Sequence, residues 1–210
     1  MRPPAVVIPF KAEGHKSRLS PRLGPDERRQ VAYLLLTGTL DTVRRAGMGG
    51  LCFVVSPDPE AQRLARRKGV KFIMEPRAAG VNSAVRLALR RLLTARRFVV
   101  IPSDLPLLVA REIRDAVRLG ETFDVVIAPS SSFNGTNLLL FRRDRPPRLS
   151  YDMDSFWNHL GDAARKGLTT AVFASGGVVF DLDSPADIEQ LRRAAPRSPV
   201  AAYIRKSLAK

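Results

Sequence analysis

The stretch FVVIPSDLPLLVAREIRDAVRLGETFDVVIAPS, residues 98–130, decides the fold class. It opens on an unbroken apolar run at 98–103, passes through a helical stretch at 107–119, and closes on a second such run at 124–130. Strands that are apolar at every position, not at alternate ones, are buried on both faces. A helix between two of them is the crossover that a parallel pair requires. The same grammar extends towards the N-terminus, with strands predicted at AVVIP (5–9), LCFVVS (51–56) and VKFIME (70–75), and helices at 25–46, 58–68 and 81–95. The first helix opens on Pro25-Asp26-Glu27 and stops at Gly47, the punctuation expected of helix ends. Beyond Pro129 the rhythm changes. A turn-rich SSSFNGT precedes NLLLFRR (137–143), predicted as a strand running back against its neighbour. A proline loop at 144–149, a helix at 154–166, strands at 169–175 and 178–184, and a helix at 185–194 complete the pattern. The reading is α/β: one domain, residues 1–195, a Rossmann-like three-layer sandwich whose mostly parallel sheet carries an antiparallel insertion. Residues 196–210 read as a basic C-terminal tail with a short helix.

At 210 residues and 45% hydrophobic, the chain is long enough to bury a sizeable core. No apolar run approaches the ~18–20 residues that span a bilayer. The opening MRPPAVVIPFK reaches a lysine too soon for the apolar region of a signal peptide, so a cytoplasmic location is expected. Cys52 is the single cysteine, which excludes a disulfide framework and a cysteine zinc site; within LCFVV it reads as a buried strand residue. The net charge of +15 has two readings, a nucleic-acid surface or a solvated basic surface that steers anions inward. The arginines are spread over nearly every predicted helix, with no RNA-recognition signature and no basic stripe interleaved with aromatics. The expected partners are therefore small anions, with no nucleic acid and no membrane; a homodimer stays open.

Ligands of an open parallel sheet bind beyond the carboxyl ends of its strands, so the residues following each strand carry the chemistry. After the first strand, PFKAEGHKSRL (9–19) has neither GxGxxG nor GxxxxGK[ST] and offers instead the cations Lys11, Lys16 and Arg18. A triphosphate and a departing pyrophosphate need such charges, although a solvated basic loop would look the same. After the fourth strand, prolines flank Asp104, which is either a helix cap or a carboxylate held for a metal. Asp181 and Asp183 alternate, so both side chains face one side. Capping of the next helix by Asp183 or Ser184 explains one of these residues and not an aspartate two positions earlier. The segment from Glu75 to Asn82 leaves a strand and opens a helix, where backbone can face a base or a phosphate. Asn134-Gly135 is a turn signal lying beside the predicted site. His15 reads as a loop or phosphate contact and His159 as a helix residue facing its neighbours, neither with a catalytic role.

VIPFK (7–11), KSRLS (16–20), EP (75–76), AGVNSAV (79–85), PSDLPLL (102–108), NGTNLLL (134–140), DSFxxH (154–159) and FDLDSPxDI (180–188) occur in an informative order. Together they resemble the nucleotidyltransferases of the nucleotide-diphospho-sugar transferase type. Within these the chain most resembles the phospholactate guanylyltransferase family of coenzyme F-420 biosynthesis. The resemblance implies transfer of GMP from GTP to the phosphate of a three-carbon acid, with magnesium as cofactor and release of pyrophosphate. The acid is 2-phospholactate, phosphoenolpyruvate or 3-phosphoglycerate. It further implies that Lys11, Lys16 and Arg18 hold the triphosphate and, with Asp104, form the catalytic group. Asp104, Asp181 and Asp183 would hold magnesium, and Glu75, Gly80 and Asn82 would lie by the nucleoside. Thr136 and Ser155 would contact the acid. Asn134 and Asp152 stand where the family tends to have glycine, and a carboxylate at Asp152 bears on the acceptor site. Competing readings are a molybdopterin- or sugar-type nucleotidyltransferase, whose LxGGxSxRMG loop is absent, and a non-enzymatic nucleotide-binding module.

Overall fold

The computed structural model describes residues 3–12 and 16–209. Seven strands, β1 (Ala5–Pro9), β2 (Cys52–Ser56), β3 (Lys71–Met74), β4 (Arg97–Val100), β5 (Val125–Pro129), β6 (Thr136–Arg142) and β7 (Thr170–Val172), form one sheet in the order β3-β2-β1-β4-β6-β5-β7. All pairings are parallel except those of β6, which runs opposite to both β4 and β5. The helices are α1 (Pro25–Arg45), α2 (Pro59–Arg67), α3 (Val81–Arg91), α4 (Ala110–Thr122), α5 (Ser155–Arg165), α6 (Pro185–Ala194) and α7 (Pro199–Ser207).

The double-sided burial follows directly from the unbroken apolar strands. Val6, Ile8, Val54 and Val99 face a cluster with Leu36 and Leu40 of α1, Leu64 of α2 and Ile113 of α4. Their sequence neighbours Ala5, Val7, Val55 and Val100 face the other side, against Ala84 and Val85 of α3 and Phe156 and Ala163 of α5. The result is the expected three-layer α/β sandwich. The reversed strand is anchored in register: Phe98 lies opposite Phe141, with ring centroids 5.8 Å apart, a cross-strand contact of the kind worth about 0.2–1 kcal/mol. Cys52 is buried and free, and burial pushes its thiol up to about 12, which suits the packing role read for it.

Three expectations change. Residues 178–184 form no strand. Phe180 and Leu182 are buried and alternate with Asp181 and Asp183, but the segment has no ladder partner. Its backbone bonds go elsewhere, with Val178 N–H donating to Glu112 Oε1 at 3.2 Å and Leu182 N–H to the Asp104 carbonyl at 3.0 Å. Helix α4 starts at Ala110 instead of 107, because Leu105–Leu108 close a turn and Glu112 reaches back to the Val109 N–H at 2.9 Å. The short helix expected in the tail is present as α7, but it is packed on the domain, with Val200, Ala201 and Ile204 buried beside Leu23, Val31 and Leu35 in a third cluster. Among the described residues no helix is long and apolar enough to cross a membrane.

Candidate active site

The carboxyl ends of β1, β3 and β4 open onto a pocket of about 220 Å³. Ser103 and Asp104 line it after β4, Pro9, Phe10 and Lys11 at β1, and Glu75 and Ala78 after β3, with Gly80, Val81 and Ala84 of α3 and with Tyr151.

Around Asp104 the predicted charges converge. The Lys16 ammonium donates to Asp104 Oδ2 at 2.8 Å and to Asp183 Oδ1 at 2.5 Å. The lysine side chain is buried. Burial works against its charge, yet the two carboxylates outweigh that cost and hold its pKa above the ordinary value. Asp181 completes the group. Burial, with the fields of Asp104 and Asp183, pushes its carboxyl up to about 6, against a weak opposing contact from Asn137 Nδ2 at 3.5 Å. The fields of Asp104 and Asp183 on Asp181 mark a site short of positive charge. The segment carrying two of them is pinned at both ends. Glu112 accepts from the N–H groups of Gly177 and Val178 and from Ser175 Oγ, and Asp187 Oδ2 accepts from the N–H groups of Asp183 and Ser184.

Because β6 is reversed, its first residue, Thr136, lies at the rim where the parallel strands end. Thr136 and Ser155 are buried together, with Ser155 Oγ donating to Thr136 Oγ1 at 3.0 Å. His159 Nδ1 lies 3.1 Å from the same oxygen. The backbone N–H of Ser150 can only donate, so His159 Nε2, 3.0 Å away, accepts. Burial pushes this histidine down to about 4, against the raising effect of Asp162. It is therefore neutral near pH 7, with its proton on Nδ1. Ser155 Oγ and His159 Nδ1 thus both lie at hydrogen-bond distance from Thr136 Oγ1.

The structure brings Lys16, Asp104, Asp181 and Asp183 into one group, and places Lys11, Glu75 and Gly80 on the adjoining pocket. Gly80 is the N-cap of α3 with φ +82°, a conformation that favours glycine. Asn82 does not line the pocket; its Oδ1 accepts from Tyr151 N–H at 2.9 Å and its Nδ2 donates to the exposed Asp152 at 3.2 Å. Arg18 is exposed and is not among the pocket residues. Asn134 bonds to Ser130 and Ser132 as a turn residue. His15 lies outside the described residues. Sequence reasoning missed Glu112, whose contacts lie 63–66 residues away, and the link from His159 to Thr136. The DSFxxH spacing was the available signal for the second: Ser155 and His159 are one helical turn apart and face the same way.

A parallel sheet with one reversed strand, and an aspartate group facing a lysine at its carboxyl rim, is a fold of the nucleotide-diphospho-sugar transferase type. The solved structures bear out the fold. A protein of Desulfovibrio desulfuricans G20 assigned to the nucleotide-diphospho-sugar transferases superposes with a TM-score of 0.79 over 97% of this chain and 94% of that one, at 19% identity. A 4-diphosphocytidyl-2C-methyl-D-erythritol synthase superposes with a TM-score of 0.61 over 92% and 98%, at 13% identity. The chain belongs to the CofC-like guanylyl transferase family, whose model matches residues 4–206. It is 34% identical to the phosphoenolpyruvate guanylyltransferase of Sphaerobacter thermophilus, over 91% of this chain and 93% of the relative. It is also 34% identical to the 3-phospho-D-glycerate guanylyltransferase of Phenylobacterium zucineum, over 86% and 85%, and 35% identical to the 2-phospho-L-lactate guanylyltransferase of Archaeoglobus fulgidus, over 89% and 82%.

Proposed function

We propose that this enzyme transfers GMP from GTP to the phosphate of a small phosphorylated three-carbon acid and releases pyrophosphate, as a step of coenzyme F-420 biosynthesis. The observation that carries the reading is the meeting of Lys16 with Asp104, Asp181 and Asp183 beside a pocket that is otherwise mostly apolar. The attacking phosphate dianion is already a nucleophile, so the protein needs no general base. Its work is to align two anions and neutralise their repulsion.

Among the described residues no three His, Cys, Asp or Glu side chains close on a metal position by themselves. That donor set still fits magnesium, which takes one or two carboxylates and completes its shell with phosphate oxygens and water. Asp104, Asp181 and Asp183 would hold the ion, and when bound it supplies positive charge to the reacting phosphates. Lys16 then turns its charge from the carboxylates towards the triphosphate, with Lys11 along the pocket and Arg18 at the loop. Thr136 donates its proton to the acid, and Ser155 opens α5, where free N–H groups favour an anion. Asp152 is exposed and accepts from Asn82 Nδ2 at 3.2 Å.

The test is pyrophosphate release from GTP and magnesium, with 2-phospholactate, phosphoenolpyruvate or 3-phosphoglycerate supplied singly. Release that depends on one of these acids is expected. Turnover indifferent to all three, or an equal rate with ATP, CTP and UTP, would refute it.

A further inference from the structure

The pocket contains a charge that neither the phosphates nor a metal requires. Glu75 follows β3 directly, and its N–H donates to the Ser56 carbonyl at 3.0 Å, which extends the ladder by one residue. Pro76 then keeps Glu75 extended. The backbone is thus fixed, and the residue is only 6% exposed while lining the pocket. Among the described residues no hydrogen bond or ion pair reaches its carboxylate; its one recorded bond is made by its backbone. The other strongly buried glutamate, Glu112, accepts from Ser175, Gly177, Val178 and Val109. A buried carboxylate without donors is costly, and such groups are found where a ligand provides the donors.

Tyr151 also lines the pocket, with Ala78, Gly80, Val81 and Ala84, and among the described residues its buried hydroxyl has no hydrogen-bond partner. These small apolar residues leave room for a flat ring. Three interstrand spacings separate β3 from β4 in the sheet order, about 14 Å. That distance is on the order of the length of an extended nucleoside triphosphate, so phosphates held by the Asp104 group put the base near Glu75.

We propose that Glu75 reads the Watson–Crick edge of guanine, its two carboxylate oxygens accepting from N1–H and from the exocyclic N2 amino group. This rests on the GTP reading above and deepens it. Guanine presents two adjacent donors whose spacing matches a carboxylate. Adenine and cytosine each turn a ring-nitrogen acceptor towards it, and uracil flanks its one N–H with two carbonyls. Selection therefore comes from repulsion of the wrong bases as much as from attraction of the right one.

Glu75→Gln tests it, because the amide is isosteric and removes an unpaired buried charge, so the thermal midpoint should hold or rise. Equilibrium binding of GTP, ITP and ATP is measured by calorimetry alongside pyrophosphate release. A bidentate contact to a base discriminates by about 5- to 150-fold. Wild-type protein should bind ITP, which lacks the N2 amino group, more weakly than GTP. The variant should bind GTP at least tenfold more weakly than wild type, with the preference for GTP over ATP falling by a similar factor and ITP approaching GTP. An unchanged GTP-to-ATP ratio in a folded variant overturns the proposal, as does a wild-type protein that binds both nucleotides equally. The two readings fail separately. If GTP binds selectively but no acid triggers pyrophosphate release, the acceptor assignment falls and Glu75 is still judged by the binding ratios.

Discussion

Removing the Glu112 side chain should disable the active site from a distance. Its carboxylate accepts from Ser175 Oγ, from Gly177 N–H at 2.8 Å and Val178 N–H at 3.2 Å, and from Val109 N–H at 2.9 Å. Hydrogen bonds to a charged group are worth about 1.5–3 kcal/mol each, but water entering the gap recovers part of four lost at once. Glu112→Ala should therefore cost roughly 3–5 kcal/mol out of a total stability of about 5–15 kcal/mol. For a chain of this size that lowers the thermal midpoint by roughly 6–20 °C, read by circular dichroism. The freed segment leads into Asp181 and Asp183, so the magnesium concentration for half-maximal pyrophosphate release should rise at least tenfold. Glu112→Gln is the milder control. Its oxygen can keep the contacts to 175–178, while its amide group faces the Val109 N–H. Gly177→Ala attacks the same junction from the other side, since an added Cβ would come 2.4 Å from the Leu107 carbonyl oxygen. A Glu112→Ala protein with an unchanged midpoint and an unchanged magnesium requirement would refute the reasoning.

Asp104→Asn, nearly identical in shape, should keep the fold and lose on the order of 10²–10³ in turnover; extra Mg²⁺ or Mn²⁺ should recover part of it if metal affinity is the defect, and full GTP-dependent activity would exclude the mechanism. His159, held near 4 by burial, binds its proton more readily once unfolded, where its pKa is near 6.5. Its contribution is therefore full above pH 6.5 and is lost as pH falls towards 4. Wild-type protein should lose on the order of 2 kcal/mol between pH 7 and pH 5 that His159→Gln does not lose, seen as a difference in urea midpoints. Asp152→Gly should shift the KM for the acid by less than about threefold and leave that for GTP unchanged, because the carboxylate is exposed and held by Asn82. A shift above tenfold would show that it reaches the acid.

Most of the sheet was legible because strands buried on two faces leave no position for a polar residue. Val6 and Val7 pack into different clusters, and either one polar would have spoiled a layer. The same logic misread residues 178–184. Alternation at Val178, Phe180 and Leu182 records burial on one side, and burial does not require a ladder. The aspartates keep the predicted common side all the same, because an extended chain alternates whether or not it is paired. Glu112 was illegible for a different reason. At the third position of a helix a glutamate looks like an ordinary cap, and it does cap Val109, while its other partners enter only through the fold. The short helix of the tail was legible, but its lysine and arginine hid the packing of Val200 and Ile204 with Val31 and Leu35 of α1.

The reversed strand ties the fold to the chemistry. In a wholly parallel sheet, every strand would offer the rim only the residues that follow its last one. Reversal of β6 between β4 and β5 presents a first residue there, so Thr136 arrives with its side chain fixed by the ladder. Asn137, the next residue, is buried and contacts Asp181. A β-bulge opposite Ala128 and Pro129 skips Asn137 and breaks the alternation of the strand at Thr136 and Asn137. One thus meets the Ser155–His159 pair of α5 while the other meets the carboxylate segment coming from the opposite layer. The Ser155–His159 pair and the carboxylate segment are set against each other by the bulge of a single strand. Without the bulge, the alternation of Leu139 and Phe141 would carry Asn137 to the α5 side and exchange the two side chains, destroying both contacts.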